Sequence, residues 1–205
     1  MRKLFLVITS VIFFIGLVYP KQGELFNKLK NNYSQIKTMQ GKFIQTVCSE
    51  FEGTCRQFEG KFFIARPCFS RLEVISPEPQ IIVLDSINLY IYLPQKKTVY
   101  IQPQNLSVNF FKIFDALLED SLKFKLSEKS DFWVWELSRD TSHQSTLFTD
   151  LKFYVNKKSN LIERFLFSDA SKNEIEFQLQ NLIINKKLSS KLFTFTIPKG
   201  VEVIK

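Results

Sequence analysis

The chain has 205 residues, 45% of them hydrophobic and 23% charged, a balance that fits one globular domain and excludes intrinsic disorder, collagen and coiled coil. A single histidine, His143, excludes a multi-histidine metal site and makes any Ser-His-Asp triad depend on one residue. The formal net charge is +8, and 22 phenylalanines exceed what a core of this size needs beside abundant Leu, Ile and Val.

Arg2 and Lys3 precede an apolar run from Leu4 to Val18. This run is shorter than the roughly 20 residues of a membrane-spanning helix, and a basic start before a short apolar stretch is the pattern of a secretory signal peptide. Residues 1–20 are expected to be that leader, with retention as a membrane anchor the alternative, because no small-x-small triplet marks a cleavage position near Tyr19 to Lys21. Loss of Arg2 and Lys3 lowers the charge from +8 to +6 and leaves residues 21–205 as a single, moderately basic, exported domain. No cysteine lies near the end of the apolar run, so a lipidated N-terminus is not expected.

From Glu24 to Met39, Leu25, Leu29, Ile36 and Met39 recur at three-, four- and seven-residue spacings, which predicts an amphipathic helix. After Gly41 the period becomes two: Phe43, Gln45 and Val47 alternate with Lys42, Ile44 and Thr46. Cys48 and Cys55 flank SEFEGT, which contains Gly53 and reads as a hairpin turn, so an exported chain is expected to bridge them. Cys68 is left as a small, partly buried thiol, and without a Cys-x-x-Cys a redox enzyme is not supported.

Further strands are predicted near 56–65, 69–76, 80–84, 87–93 and 97–102, punctuated by Pro67, Pro77, Pro79, Pro94 and Pro103. Leu106–Asp120 breaks the pattern with Phe110, Phe111, Phe114, Leu117 and Leu118 on a helical stripe, predicting a second amphipathic helix. Alternation resumes around Phe124, Trp133 and Trp135, Phe153, Phe165 and Phe177. Ten or eleven strands with two or three helices suggest an antiparallel sheet that closes as a barrel or curves around its helices.

Chemistry-bearing motifs are scarce. His143 sits in the hydrophilic DTSHQST, and the chain has no Walker loop, Gly-x-Gly-x-x-Gly or His-Glu-x-x-His. Glu73 and Asp85 would form an acid/base pair only if they met in a cleft. Lys157, Lys158, Lys186, Lys187 and Lys191 are scattered as solvated strand exteriors, and export opposes a nucleic-acid partner. No enzyme, cofactor or metal site is expected. The aromatic surplus reads either as an aromatic core or as an apolar cavity for acyl chains.

GKFFIARPCFSRLEV (Gly60 to Val74) and ISPEPQIIVLDSINLYIYLP (Ile75 to Pro94), Phe43, Ile44, Gln45 and Thr46 after a helix, and Phe193, Phe195, Pro198, Gly200 and Val201 near the end together resemble the outer-membrane lipoprotein carrier family, the LolA-type periplasmic chaperones. The resemblance implies a mainly β (α+β) fold: an incomplete, strongly curved antiparallel β-barrel, with the N-terminal helix and a central helical segment forming a lid over an apolar cavity. It implies that Arg66 locks the lid in the closed, empty state, a guanidinium being able to satisfy several helix-end carbonyls. Cavity and lid candidates are Leu25, Leu29, Ile36, Phe43, Phe63, Phe69, Tyr90, Tyr92, Phe110, Phe111, Phe114, Trp133 and Trp135. Implied partners are lipoproteins, an inner-membrane lipoprotein-releasing ABC transporter, and an outer-membrane lipoprotein receptor or the outer membrane itself, served by a periplasmic monomer. Ser70 and the Asp85-Ser86 turn depart from the family pattern, where Phe and Asp-Gly are usual. A lipid- or peptide-sensing regulatory protein on the same fold is the alternative.

Overall fold

A computed structural model of the chain describes residues 21–103, 114–115, 118, 124–137, 149–169 and 171–205. Helix α1 (Lys21–Ser34) is followed by β1 (Thr38–Ser49), β2 (Thr54–Ala65), β3 (Phe69–Ser76), β4 (Gln80–Leu84), β5 (Asn88–Leu93) and β6 (Thr98–Pro103). The second half holds β7 (Phe124–Lys129), β8 (Phe132–Leu137), β9 (Thr149–Asn156), β10 (Ile162–Ser168) and β11 (Glu174–Ile184), then a 3-10 turn at Ser190–Phe193 and β12 (Glu202–Ile204).

The strands form one open 12-stranded sheet in the order β12-β6-β5-β4-β3-β2-β1-β11-β10-β9-β8-β7. Neighbours are antiparallel except β12, which runs parallel to β6. β1 joins the halves, pairing with β2 on one side and β11 on the other. A single core cluster takes Leu29 from α1, Phe62 from β2, Leu72 from β3, and Trp135, Phe153 and Phe165 from β8 to β10. Strands so far apart in the order share one core because the sheet is strongly curved and α1 lies in its concavity.

Two close approaches make this curvature possible. A Cβ at Gly60 would stand 2.2 Å from the Glu73 carbonyl oxygen and 2.8 Å from the Phe43 ring, beside a register shift in the β2–β3 pairing. A Cβ at Gly41 would stand 2.7 Å from the Gln180 carbonyl oxygen, where the β1–β11 register shifts between Gln40 and Lys42. Only glycine lets the backbones meet there.

Several expectations need correction. The first helix ends at Ser34 rather than Met39: Ile36 lies in the connection and Met39 in β1, though both stay buried. Gly41 does not precede β1 but lies inside it. Among the described residues the sheet has 12 strands and is not wholly antiparallel, since β12 runs parallel to β6; β12 is too short to show alternation in the sequence. Of the predicted second helix, Phe114 and Asp115 are helical and Leu118 N–H donates to the Phe114 carbonyl at 3.1 Å; its other residues, Phe110 and Phe111 included, lie outside the described residues.

Candidate functional site

The register separates the two faces of the sheet. Phe62, Leu72, Ile82 and Ile91 stand opposite one another across β2 to β5, and the first three pack in or against the α1-covered core. Because side chains alternate along a strand, Phe63, Phe69, Tyr90 and Tyr92 point to the other, convex face. These four cavity and lid candidates therefore stand on the face away from α1. Phe193 packs on Phe69 with ring centroids 5.7 Å apart, and Phe195 lies 5.3 Å from Tyr90 and 5.9 Å from Tyr92. Arg71, ion-paired to Glu73 at 2.7 Å, donates to the Leu192 carbonyl at 3.4 Å and ties the same C-terminal segment down.

The remaining described candidates share the concave side. Leu29, Ile36, Phe43, Phe114 and Trp135 are buried in the common core, with Leu25 and Trp133 packed against it. Phe26 bridges to Trp135 at 5.3 Å, and Phe114 contacts Tyr33 at 5.2 Å and Phe165 at 6.1 Å. The Lys157 ammonium lies 4.8 Å from the centre of the Trp133 ring and 2.6 Å from Glu128, so this lysine is not simply a solvated exterior. The Ser70 hydroxyl is buried on this face with no hydrogen-bond partner among the described residues.

α1 is fastened at both ends. Gln22 donates to the Phe124 carbonyl on edge strand β7, Asn32 donates to the Asn160 carbonyl at 2.9 Å, and the Tyr33 hydroxyl accepts from Ile162 N–H at 2.8 Å. On the other side Arg66 meets the helix end: its Nε donates to the Ile36 carbonyl at 3.0 Å and its Nη2 to the Tyr33 carbonyl at 3.4 Å. Two further bonds, 2.8 and 2.7 Å, clasp both carboxylate oxygens of Asp115. That bidentate partner, against partial desolvation, raises the Arg66 pKa above its already high ordinary value and keeps the group charged. One side chain thus joins β2, the end of α1 and the central segment.

Sequence reasoning missed Tyr33, Asp115 and the role of the C-terminal segment. Tyr33 was legible, because Leu25, Leu29 and Tyr33 recur every four residues. Asp115 carried no such signal, since it lies 49 residues from Arg66. Glu73 and Asp85 are engaged locally rather than as an acid/base pair: Glu73 holds Arg71, and Asp85 accepts from Ile87 and Asn88 N–H, both at 2.7 Å. Among the described residues no three His, Cys, Asp or Glu side chains gather as a metal site, and no helix is long and apolar enough to cross a membrane. His143 lies outside the described residues. Cys48 and Cys55 are directly opposed in the β1–β2 pairing and are disulfide-bonded, while Cys68 is free.

The fold is similar to that of an uncharacterised conserved protein from Thermus thermophilus, with TM-score 0.55 and 15% identity, covering 89% of this chain and 97% of that one. It is also similar to the structure of the Pseudomonas aeruginosa MucA/MucB complex, with TM-score 0.51 and 13% identity, covering 84% of this chain and 60% of that one. In sequence, the chain is 29% identical over 210 residues to the outer-membrane lipoprotein carrier protein of Chromobacterium violaceum, covering 100% of this chain and 98% of that protein. The profile of the outer membrane lipoprotein carrier protein LolA matches residues 34–196. With four-fifths of its length matched and a curved sheet around an amphipathic helix, the chain belongs to the LolA family of outer membrane lipoprotein carriers.

Proposed function

We propose that this protein is a periplasmic chaperone that takes the acyl chains of lipoproteins released from the inner membrane and carries them to the outer membrane. The observation that supports this most directly is the Arg66 clasp, a polar fastening over an otherwise aromatic and aliphatic concave face. Burial of one methylene is worth about 0.8 kcal/mol, so exposing a lipid chain to water costs on the order of 10 kcal/mol. A carrier must offset that cost and still let go.

In this proposal α1 and the central segment occupy the concave face when no cargo is bound. Acyl chains displace Leu25, Leu29, Phe114 and their neighbours, opening the cavity, so that net affinity is a difference between two sets of apolar contacts. Arg66 favours the closed state by satisfying carbonyls at the end of α1. Residues 1–20 are the export leader and 21–205 the carrier domain. An inner-membrane ABC transporter supplies the cargo, a lipoprotein receptor or the outer membrane accepts it, and the carrier works as a monomer with no catalysis and no nucleic-acid partner.

The test is a release assay. The exported protein is incubated with energised inner-membrane vesicles bearing a triacylated lipoprotein, and the soluble fraction is read by native mass spectrometry. A one-to-one complex that later deposits its cargo in acceptor membranes is the expected result. Uptake without deposition would favour a regulatory lipid sensor, and no uptake by folded protein beside a matched transporter would end the carrier reading.

A further inference from the structure

At the tip of the β1–β2 hairpin Phe51 is 98% exposed, more than any other exposed large apolar side chain among the described residues. The tip is well defined: Gly53 N–H donates to the Ser49 carbonyl at 3.0 Å and Glu52 N–H to Ser49 Oγ at 3.2 Å, with Gly53 at φ 62°. Below it, Cys48 and Cys55 are bridged across a sequence separation of 7. A phenylalanine on so short a covalently closed loop loses little conformational freedom on binding.

Charge narrows the partner. Glu50 and Glu52 flank Phe51, and the nearest cation along the chain, Arg56, is 3.7 Å from Glu52. This acidic tip is repelled by an anionic lipid surface and attracted by a cationic protein surface. A groove of about 360 Å³ begins at Glu52 and is lined by Val47, Arg56 and Phe58. Register places these strand residues on the concave side, the side of Phe43 and Phe177. A protein docked on the tip would therefore lie beside this groove on the concave side.

We propose that Glu50–Gly53 is a docking finger, whose Phe51 enters an apolar socket rimmed by cationic side chains on a membrane protein that gives or takes cargo. The partner's place in transfer rests on the carrier function proposed above; the docking itself does not. To test it, a benzophenone amino acid replaces Phe51 in the full chain, and replaces Ile87, 70% exposed on the β4–β5 turn, as the control. Each protein is illuminated with inner-membrane vesicles, outer-membrane vesicles, and protein-free vesicles of phosphatidylethanolamine and phosphatidylglycerol.

The expected result is a cross-link to one membrane protein from position 51 and not from position 87. It should fall about tenfold in roughly 0.5 M NaCl and likewise with Glu50→Lys/Glu52→Lys. Phe51→Ser should slow transfer about tenfold while thermal stability and acyl-chain binding stay unchanged. Cross-linking to protein-free vesicles, cross-linking only between copies of this chain, or wild-type transfer by Phe51→Ser would each overturn the proposal. A salt-sensitive cross-link from a wild-type background that takes up no lipoprotein would support the docking and sink the carrier function instead.

Discussion

Tyr33 places a phenol inside the core and uses it to satisfy a strand N–H, so one residue belongs to both helix packing and sheet accounting. Replacement by Phe keeps the ring contact with Phe114 but leaves Ile162 N–H without its partner. Tyr33→Phe is therefore expected to cost about 1–3 kcal/mol, measured by urea unfolding at neutral pH. The same burial, opposed by the bond from Ile162 and aided by the charge of Glu163, pushes the Tyr33 hydroxyl well above its ordinary range. With the folded pKa above the unfolded value of about 10, this contribution is complete below pH 10 and is lost as pH rises beyond it. A series of urea midpoints from about pH 8 to 11 should show an alkaline fall in wild type that is shallower in Tyr33→Phe. A common slope would place the titration elsewhere.

At the scale of elements, the β1–β2 hairpin was largely readable: alternation marked both arms, Gly53 marked the turn, and two cysteines across it stand in register as Cys48 opposite Cys55. The separation of 7 residues closes a small loop, for which the chain-entropy argument gives about 2–3 kcal/mol. Cys48→Ser/Cys55→Ser should accordingly lower the melting temperature by about 5–10 °C. Dithiothreitol should lower the wild-type value similarly and leave the double variant unmoved. An equal response of the two proteins would show that the bridge contributes nothing. The end of α1 was less legible, because Ile36 and Met39 extend the helical spacing by chance of position: the chain turns after Ser34 and still delivers both side chains to the core.

At the scale of the whole molecule, Arg66 reaches the end of α1 and Asp115 at once. The Arg66 and Asp115 side chains remain 28% and 50% exposed, so water screens the pair and the clasp is worth only about 1–3 kcal/mol in all. Under the carrier function proposed above, that magnitude suits a fastening that cargo opens. Arg66→Leu is expected to raise affinity for a fluorescent acyl probe about tenfold and to slow hand-over to acceptor vesicles, while Asp115→Asn, which keeps a neutral acceptor, should move both by only a few-fold. Normal transfer by a folded Arg66→Leu protein would remove Arg66 from the mechanism.

Strand and helix periods are properties of the local backbone, and so the amino-acid sequence by itself determined the β-rich class, the boundaries of β3 and β4, the presence of the first helix though not its end, and the hairpin that the disulfide closes. Period alone cannot say which face of a strand meets which layer. Phe69, Tyr90 and Tyr92 are aromatic although they face outward, because the convex face is also partly covered, by Phe193 and Phe195 from the far end of the chain. Arg66 was singled out through its Arg-Pro motif, but its carboxylate partner is 49 residues away, and no spacing rule links them. Such choices depend on how the sheet curves and what crosses it, and only the tertiary structure decides them, since side chains distant in sequence must first be brought within contact range.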